Sequence, residues 1–370
     1  MAGATLRVLV AEDSVVARAL IVSILGREPG IDVVGEARDG EQAVKMAAEL
    51  KPDVITMDVH MPKLDGLEAT RRIMGETPTP IVVISAIDPK DVKISIEALE
   101  AGALAALGKP SGPTAPDFAE RAQEIVGTVK TMAGVRVVKR RPRLTRPGQA
   151  PAAAATPAPS AARATTVPAI SNAPRRKVEI VGIGSSTGGP DALGKIIGAL
   201  PAVAPVPIVI VQHITVGFHQ GLVDWLNNVT PLDVKLGEEG HLPRAGEVIL
   251  APGEHHMTID KNRRITLNEE SPVRGHRPSA TQLFHSLTSV YGAKALGVIL
   301  TGMGDDGADG LVELRRAGGW VIGQDEATSV VYGMPREAAA RGGVSEVRPL
   351  PEIASAIVEG WSIGRTSRAA

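Results

Sequence analysis

Cysteine is absent from this chain of 370 residues, and aromatic side chains make up only 2% of it. The lack of cysteine excludes disulfides, thiolate metal ligands, iron–sulfur clusters and a cysteine nucleophile, and it fits a reducing compartment. With so few aromatic rings, the hydrophobic cores must be built from Val, Ile, Leu and Ala, which the hydrophobic content of 44% allows. No apolar run of 18 residues and no signal-peptide pattern is present, so we expect a cytoplasmic protein without membrane insertion.

Net charge is close to zero only because segments of opposite sign cancel. The formal charge of the whole chain is −1, but residues 1–124 carry −7, residues 125–178 carry +11 and residues 179–370 carry −5. The basic segment is rich in Ala and Pro, with too few large aliphatic side chains to offset the entropy of ordering it. We therefore predict a domain at 1–125, a basic linker at 126–177 and a second domain at 178–370. A basic run can bind nucleic acid or acidic lipid, but we favour a solvated linker and expect no nucleic-acid partner.

Hydrophobic patterning predicts that both domains are α/β folds. In the first domain, five short apolar runs alternate with five amphipathic stretches, and the second domain repeats this alternation around a hairpin-rich middle near residues 234–267. Such alternation is typical of a doubly wound parallel sheet with helices on both faces. We expect a (βα)5 domain followed by a Rossmann-like three-layer α/β/α domain, with ligands at the carboxyl ends of the strands.

Acidic side chains and a lysine mark the strand ends of the first domain. Glu12 and Asp13 follow the first predicted strand, Asp58 ends the third, Ser85 ends the fourth and Lys109 follows the fifth. In a doubly wound sheet these ends meet at one edge. Clustered carboxylates repel one another unless a cation neutralises them, and oxygen ligands suit Mg²⁺. The alternative is that each is a separate, solvated loop residue.

A serine in a glycine-rich turn follows the first buried strand of the second domain. The segment Gly184-Ser185-Ser186-Thr187-Gly188 matches the G-x-S-x-G pattern of a nucleophile elbow, whereas it fits neither a dinucleotide fingerprint nor a P-loop. His213 ends the next strand, and Asp305 and Asp306 follow a later buried strand. These strand ends can supply a nucleophile, a base and an orienting carboxylate, in a chain order that differs from that of α/β-hydrolases. A plain turn and a packed histidine are the alternatives.

The motifs of both domains resemble known families. The strand-end residues of the first domain, with the Lys109-Pro110 pair, resemble the response-regulator receiver domain over about residues 5–125. The second domain resembles the catalytic domain of the chemotaxis protein-glutamate methylesterases, the CheB family. Besides the serine turn, its matching motifs are Gln212-His213, Ala251-Pro252-Gly253, His276-Arg277-Pro278-Ser279, the turn at 301–307 and the segment 332–338.

The receiver resemblance implies that Asp58 accepts a phosphoryl group from the histidine kinase of a chemotaxis system. It also implies that Ser85 and Lys109 contact that group. The implied Mg²⁺ ligands are Glu12, Asp13, Asp58 and the backbone carbonyl of His60. The aromatic switch residue usual near the fifth strand is missing, which leaves the relay of the phosphorylation signal open.

The CheB resemblance implies that Ser186 is the nucleophile, His213 the general base and Asp306 the orienting acid. The backbone N–H of Met303 is implied as an oxyanion donor, and no cofactor is expected in this domain. The implied reaction is hydrolysis of glutamate methyl esters on methyl-accepting chemotaxis receptors, together with deamidation of receptor glutamines.

Joining the two domains suggests a hypothesis for regulation, in which the unmodified receiver covers the Ser186 site and phosphorylation of Asp58 weakens that contact. Three other functions compete with it: a DNA-binding response regulator, a catalytically silent scaffold and a general esterase of small molecules. His256 and Arg277 are candidates for contact with an acidic receptor helix, with a structural role as the alternative.

Overall fold

The computed structural model of the chain describes residues 5–86, 89–110, 112–116, 118–135, 137 and 177–362. Most of the predicted linker, residues 138–176, lies outside the described residues. Within these ranges, no helix is both long and apolar enough to cross a membrane.

The first domain is a five-stranded parallel sheet with strand order β2-β1-β3-β4-β5. The strands are β1 (Leu6–Ala11), β2 (Ile31–Ala37), β3 (Val54–Met57), β4 (Ile81–Ser85) and β5 (Ala105–Gly108). The helices are α1 (Val15–Gly26), α2 (Gly40–Leu50), α3 (Gly66–Glu76), α4 (Pro89–Ala101) and α5 (Phe118–Ala133). The expected doubly wound sheet is confirmed. Helix α5 continues past residue 125, the predicted end of the domain.

Local sequence explains where these elements begin. Ser14, Asp39 and Asp65 precede α1, α2 and α3, and each side chain accepts a hydrogen bond from a backbone N–H three residues on. This is the N-capping geometry that these residue types favour. All residues of β3 and β4 are buried, as expected of strands covered by helices on both faces.

The second domain is a seven-stranded parallel sheet with strand order β14-β13-β12-β6-β7-β9-β8. Its strands are β6 (Ile180–Ser185), β7 (Ile208–Gln212), β8 (Asp233–Leu236), β9 (Glu247–Leu250), β12 (Ala295–Ile299), β13 (Trp320–Gln324) and β14 (Glu346–Arg348). Strands β10 (His256–Ile259) and β11 (Ile265–Asn268) form a separate antiparallel hairpin. The helices are α6 (Gly189–Ala199), α7 (His219–Val229), α8 (Ala280–Tyr291), α9 (Ala308–Arg316), α10 (Met334–Ala340) and α11 (Leu350–Ser362).

The α/β expectation for the second domain is confirmed, although its middle differs in detail from the predicted hairpins. Strands β8 and β9 pair in parallel and extend the main sheet, while β10 and β11 form a hairpin. The three central strands, β12, β6 and β7, are buried along their whole length and are neighbours in the sheet. The turns that follow them therefore meet at the carboxyl edge of the sheet.

Candidate functional site

Ser186 is held at the carboxyl end of β6 by backbone contacts on both sides. Its N–H donates to the carbonyl of Thr301 at 3.1 Å, and its carbonyl accepts from the N–H of Gly189 at 2.8 Å. Gly188 between them has φ +75°, and a Cβ there would lie 2.6 Å from Cβ of Val330. The turn therefore requires glycine at this position both for its backbone conformation and for space.

His213 and Asp306 form a buried hydrogen-bonded pair. Nε2 of His213 lies 2.9 Å from Oδ2 of Asp306, and the two side chains are 8% and 1% exposed. An ionised carboxylate can only accept, so Nε2 carries the proton in this pair. The other ring nitrogen, Nδ1, is buried and has no hydrogen-bond partner within the described part of the chain. It is thus the nitrogen available to take a proton.

Asp306 is also bound by the first turn of α8. The hydroxyl of Ser279 donates to Oδ1 at 2.7 Å, the N–H of Ala280 donates to Oδ2 at 2.6 Å and the N–H of Thr281 donates to Oδ1 at 3.1 Å. Burial alone would raise the pKa of Asp306, but these hydrogen bonds and the one from His213 outweigh it and hold the pKa well below its usual range. The carboxylate is therefore ionised and fixed in orientation.

Asp305, the second acid of the turn, faces another way. Its carboxylate forms ion pairs with Arg274 and Arg341 at the surface. The two adjacent acids therefore lie in different environments, Asp305 at the surface and Asp306 buried. It is the carboxylate of Asp306 that reaches His213.

The loop that carries Met303 passes directly over the serine turn. A Cβ on Gly302 would lie 2.7 Å from Cβ of Ser186, so only glycine permits this approach. The side chain of Met303 is 52% exposed and points away from the core.

Three side chains that organise this site were named in the sequence only as parts of motifs, with no role assigned to them. Gln212 accepts from the hydroxyl of Ser185 at 2.6 Å and donates to the carbonyl of Ser186 at 2.8 Å. Ser279 binds Asp306, and the ring of His276 stacks on His213. The motifs marked these positions, but strand and helix patterns carried no signal for the contacts that they make.

His256 and Arg277 lie in structural positions. His256 is fully buried, and its Nδ1 accepts from the N–H of Ser279 at 3.2 Å. Arg277 donates to the backbone carbonyl of Glu269 at 2.9 Å. Contact between His256 and a receptor helix is therefore excluded in this conformation.

The acidic residues of the first domain cluster as expected. The carboxylates of Glu12, Asp13 and Asp58 offer ligand atoms within 4.8 Å of one another. Nζ of Lys109 lies 2.9 Å from Oε2 of Glu12 and 2.9 Å from Oδ2 of Asp58. Ser85, the last residue of β4, is fully buried.

The electrostatics of this cluster favour a bound cation. Burial, and after it the charge of Asp58, raises the pKa of Glu12 to about 7, although Lys109 opposes the shift. Burial likewise raises the pKa of Asp58 against the opposing effect of Lys109. Oδ1 of Asp58 is buried without a hydrogen-bond partner among the residues described. These oxygens are the hard ligands that Mg²⁺ prefers, so the residues fit the ion.

Helix α5 of the first domain contacts the loops that follow β12 and β13 in the second domain. Val330 and Val331 pack against the hydrophobic core that α5 contributes to. The hydroxyl of Thr131 on α5 lies 3.2 Å from Sδ of Met303. Because Val330 is also packed against the serine turn, α5 lies next to the loops that surround Ser186.

A second contact joins α4 to α7. Val92 and Ile96 of α4 belong to the same buried apolar cluster as Leu222 and Leu226 of α7. The approach is close, since a Cβ on Gly221 would lie 2.2 Å from Cγ1 of Val92. The two domains are therefore docked through buried apolar side chains of α4 and α7.

Comparison with known proteins agrees with this architecture. Residues 8–115 match the family model of the response regulator receiver domain, and residues 181–357 match that of CheB methylesterase. Protein-glutamate methylesterase/protein-glutamine glutaminase 4 of Myxococcus xanthus is 46% identical over 356 residues, which cover 96% of this chain and 97% of that relative. The chain belongs to the CheB methylesterase family.

A second CheB relative is similar over nearly the whole chain, and a solved CheB catalytic domain is similar over about half of it. Protein-glutamate methylesterase/protein-glutamine glutaminase of Nitrosospira multiformis is 44% identical over 353 residues, covering 95% of this chain and 96% of that relative. The crystal structure of the Thermotoga maritima CheB methylesterase catalytic domain is 37% identical with a TM-score of 0.48, covering 49% of this chain and 98% of that chain. As a CheB family member, the chain is an enzyme of the methylesterase class with a receiver domain.

Proposed function

We propose that this chain is a phosphorylation-regulated protein-glutamate methylesterase that acts on methyl-accepting chemotaxis receptors and deamidates receptor glutamines. The observation that carries the proposal is the buried pair of His213 and Asp306, which leaves Nδ1 of the ring free beside the Ser186 turn. Family membership supports the substrate class. Its expected location, the cytoplasm, stays a prediction.

The mechanism begins with proton transfer from Ser186 to His213. Nδ1 takes the hydroxyl proton as Oγ attacks the ester carbonyl, and the ionised Asp306 stabilises the imidazolium through Nε2–H. The proton then passes from Nδ1 to the departing methoxide, so that methanol leaves and an acyl-serine remains. A water molecule then attacks the acyl-serine by the same pair of proton transfers, and glutamate is released. With a glutamine substrate the leaving group is ammonia.

Negative charge develops on the carbonyl oxygen in both steps. The loop at Gly302 and Met303 lies against Ser186, so the backbone N–H of Met303 is the proposed donor to this oxyanion. Such donors are effective because they are fixed before the reaction and need no reorganisation.

The two adjacent acids provide a test of the catalytic assignment. We expect Asp306→Asn to lower kcat on methylated receptor by on the order of 10⁴-fold, because the amide cannot hold the required tautomer of His213. Asp305→Asn breaks only surface ion pairs, which contribute little, and should keep kcat near that of the parent. Methanol release, measured with excess receptor, gives both values. A larger loss in Asp305→Asn than in Asp306→Asn would contradict the assignment.

In the receiver domain, Asp58 is the proposed phosphoryl acceptor and the chemotaxis histidine kinase the donor. Glu12, Asp13, Asp58 and the backbone carbonyl of His60 would hold Mg²⁺, which supplies positive charge to the incoming phosphoryl oxygens. Lys109, which pairs with Asp58 in this structure, is the proposed contact for the phosphoryl group.

Regulation follows from the docked arrangement of the domains. Helix α5 lies against Met303 and the loop at Val330. We propose that this contact restricts access of a receptor helix to Ser186. Phosphorylation of Asp58 is proposed to weaken this docking and expose the site.

A buried serine pair offers a route for that signal. Oγ of Ser85 lies 2.7 Å from Oγ of Ser95 on α4, and both side chains are fully buried. If Ser85 turns to the phosphoryl group, Ser95 loses its partner, and a buried unsatisfied hydroxyl costs about 1–3 kcal/mol. Movement of α4 relieves this cost, and α4 is the helix that packs on α7. This route requires no aromatic switch residue.

We therefore expect Ser95→Ala to be phosphorylated like the parent but to be activated less by a phosphodonor. Alanine has no hydroxyl at position 95, so no buried group is left unsatisfied when Ser85 turns to the phosphoryl group. The proposed cause of the movement of α4 is then absent. Radiolabel incorporation and methanol release with and without acetyl phosphate separate the two effects. Asp58→Ala serves as the reference, since it loses both labelling and stimulation. Full stimulation of Ser95→Ala would show that the signal takes another route.

A further inference from the structure

The catalytic imidazole lies flat against a second imidazole. The ring centroids of His213 and His276 are 3.8 Å apart, and their planes differ by 8°. His276 belongs to the loop between β11 and α8, where its N–H and carbonyl both pair with the backbone of Val273. Ser279, three residues on, binds Asp306. One loop thus contacts both the face of His213 and the acid that orients its edge.

The second ring carries no charge near neutral pH. Burial, and after it the charge of His213, lowers the pKa of His276 to about 4, while Asp306 and Asp305 oppose the shift. A neutral ring can lie against His213 in either charge state without the repulsion that a second cation would bring. Stacking therefore persists when His213 takes the proton of Ser186.

A hydrogen bond to Asp306 restrains His213 at a single atom, Nε2. The ring can still tilt about that contact, and a tilt moves Nδ1 away from the serine turn. A flat neighbour on the ring face removes this freedom. The stack and the hydrogen bond together fix both the edge and the plane of the imidazole.

We propose that His276 is a positioning residue that sets the plane of the His213 ring, so that Nδ1 can take the proton of the Ser186 hydroxyl. This inference rests on the proposed roles of Ser186 and His213. His276 acts through His213 and takes no proton itself.

The test compares His276→Ala, which removes the stack, with His276→Phe, which keeps a flat ring. Two readouts are taken on the full chain with acetyl phosphate present. They are kcat and KM for methylated receptor, and the rate at which a small fluorophosphonate labels Ser186. We expect His276→Ala to lower kcat and the labelling rate by about 10²-fold with little change in KM, since small misplacements of catalytic groups have effects of this size. His276→Phe should restore most of both rates.

His285→Ala is the matched control, because His285 lies on α8 in a surface pair with Glu313. It should leave both rates at the parent value. A raised KM with unchanged labelling in His276→Ala would overturn the inference and show that this ring contacts the receptor. Equal loss in the Phe and Ala variants would also overturn it. If the parent releases no methanol from receptors but Ser186 labelling still depends on His276, the proposed substrate is wrong and the positioning role stands.

Discussion

Ser186→Ala will abolish methanol release from methylated receptor. Without Oγ of Ser186 the proposed acyl intermediate cannot form. Loss of the nucleophile from such a set lowers kcat by on the order of 10⁶-fold. The measurement is release of methanol by the phosphorylated full-length chain.

Ser289→Ala provides the control for this result. Ser289 is an exposed serine on α8 whose hydroxyl bonds to the carbonyl of His285 within the helix. Its replacement should change neither activity nor thermal stability by a measurable amount. Methanol release that persists in Ser186→Ala would mean that the nucleophile has been misassigned.

Gly221→Ala will raise the activity of the unphosphorylated chain. The new Cβ would meet Cγ1 of Val92 at 2.2 Å, so either Val92 leaves its packed rotamer or α4 and α7 move apart, and both weaken this contact. Gly221 lies inside a helix and outside the left-handed region, so alanine suits its backbone and favours the helix. Overpacking of this kind costs about 1–3 kcal/mol. A cost of that size shifts the docked–open equilibrium about 5–150-fold towards the open form.

Gly127→Ala is the matched control. Gly127 lies inside α5, where a Cβ would meet nothing within 4 Å, and the change should leave basal activity unaltered. Methanol release without phosphodonor is measured for both variants, and small-angle scattering reports whether the domains separate. If Gly221→Ala separates the domains but activity stays low, docking is not what restrains the enzyme.

The positions of the proposed catalytic residues were predictable because a parallel sheet imposes them. Ser186, His213 and Asp306 each follow a fully buried run of aliphatic residues, and such runs form central strands. Strands β12, β6 and β7 are neighbours, so the turns after them meet. The acidic cluster of the receiver was predictable for the same reason.

The supporting contacts were not predictable from strand patterns. His276 reaches His213 from a loop outside the central strands, and its placement depends on how α8 packs against the sheet. The docking of α4 on α7 depends on matching surfaces, which hydrophobic periodicity within each helix does not specify. The sequence predicted hairpins in the region of β8 and β9, which instead pair in parallel. Each strand has only four residues, too few for its pattern to distinguish a parallel from an antiparallel partner.

The carboxylate of Asp306 also caps the N-terminus of helix α8. It accepts from Ser279, Ala280 and Thr281 at the N-terminus of α8, where backbone N–H groups lack partners within the helix and favour negative charge. Many enzymes gain stability when a catalytic residue is removed, because the active site is a strained part of the fold. Here the proposed orienting acid also stabilises the start of α8. If Asp306 orients His213 as proposed, stability and turnover depend on the same atoms.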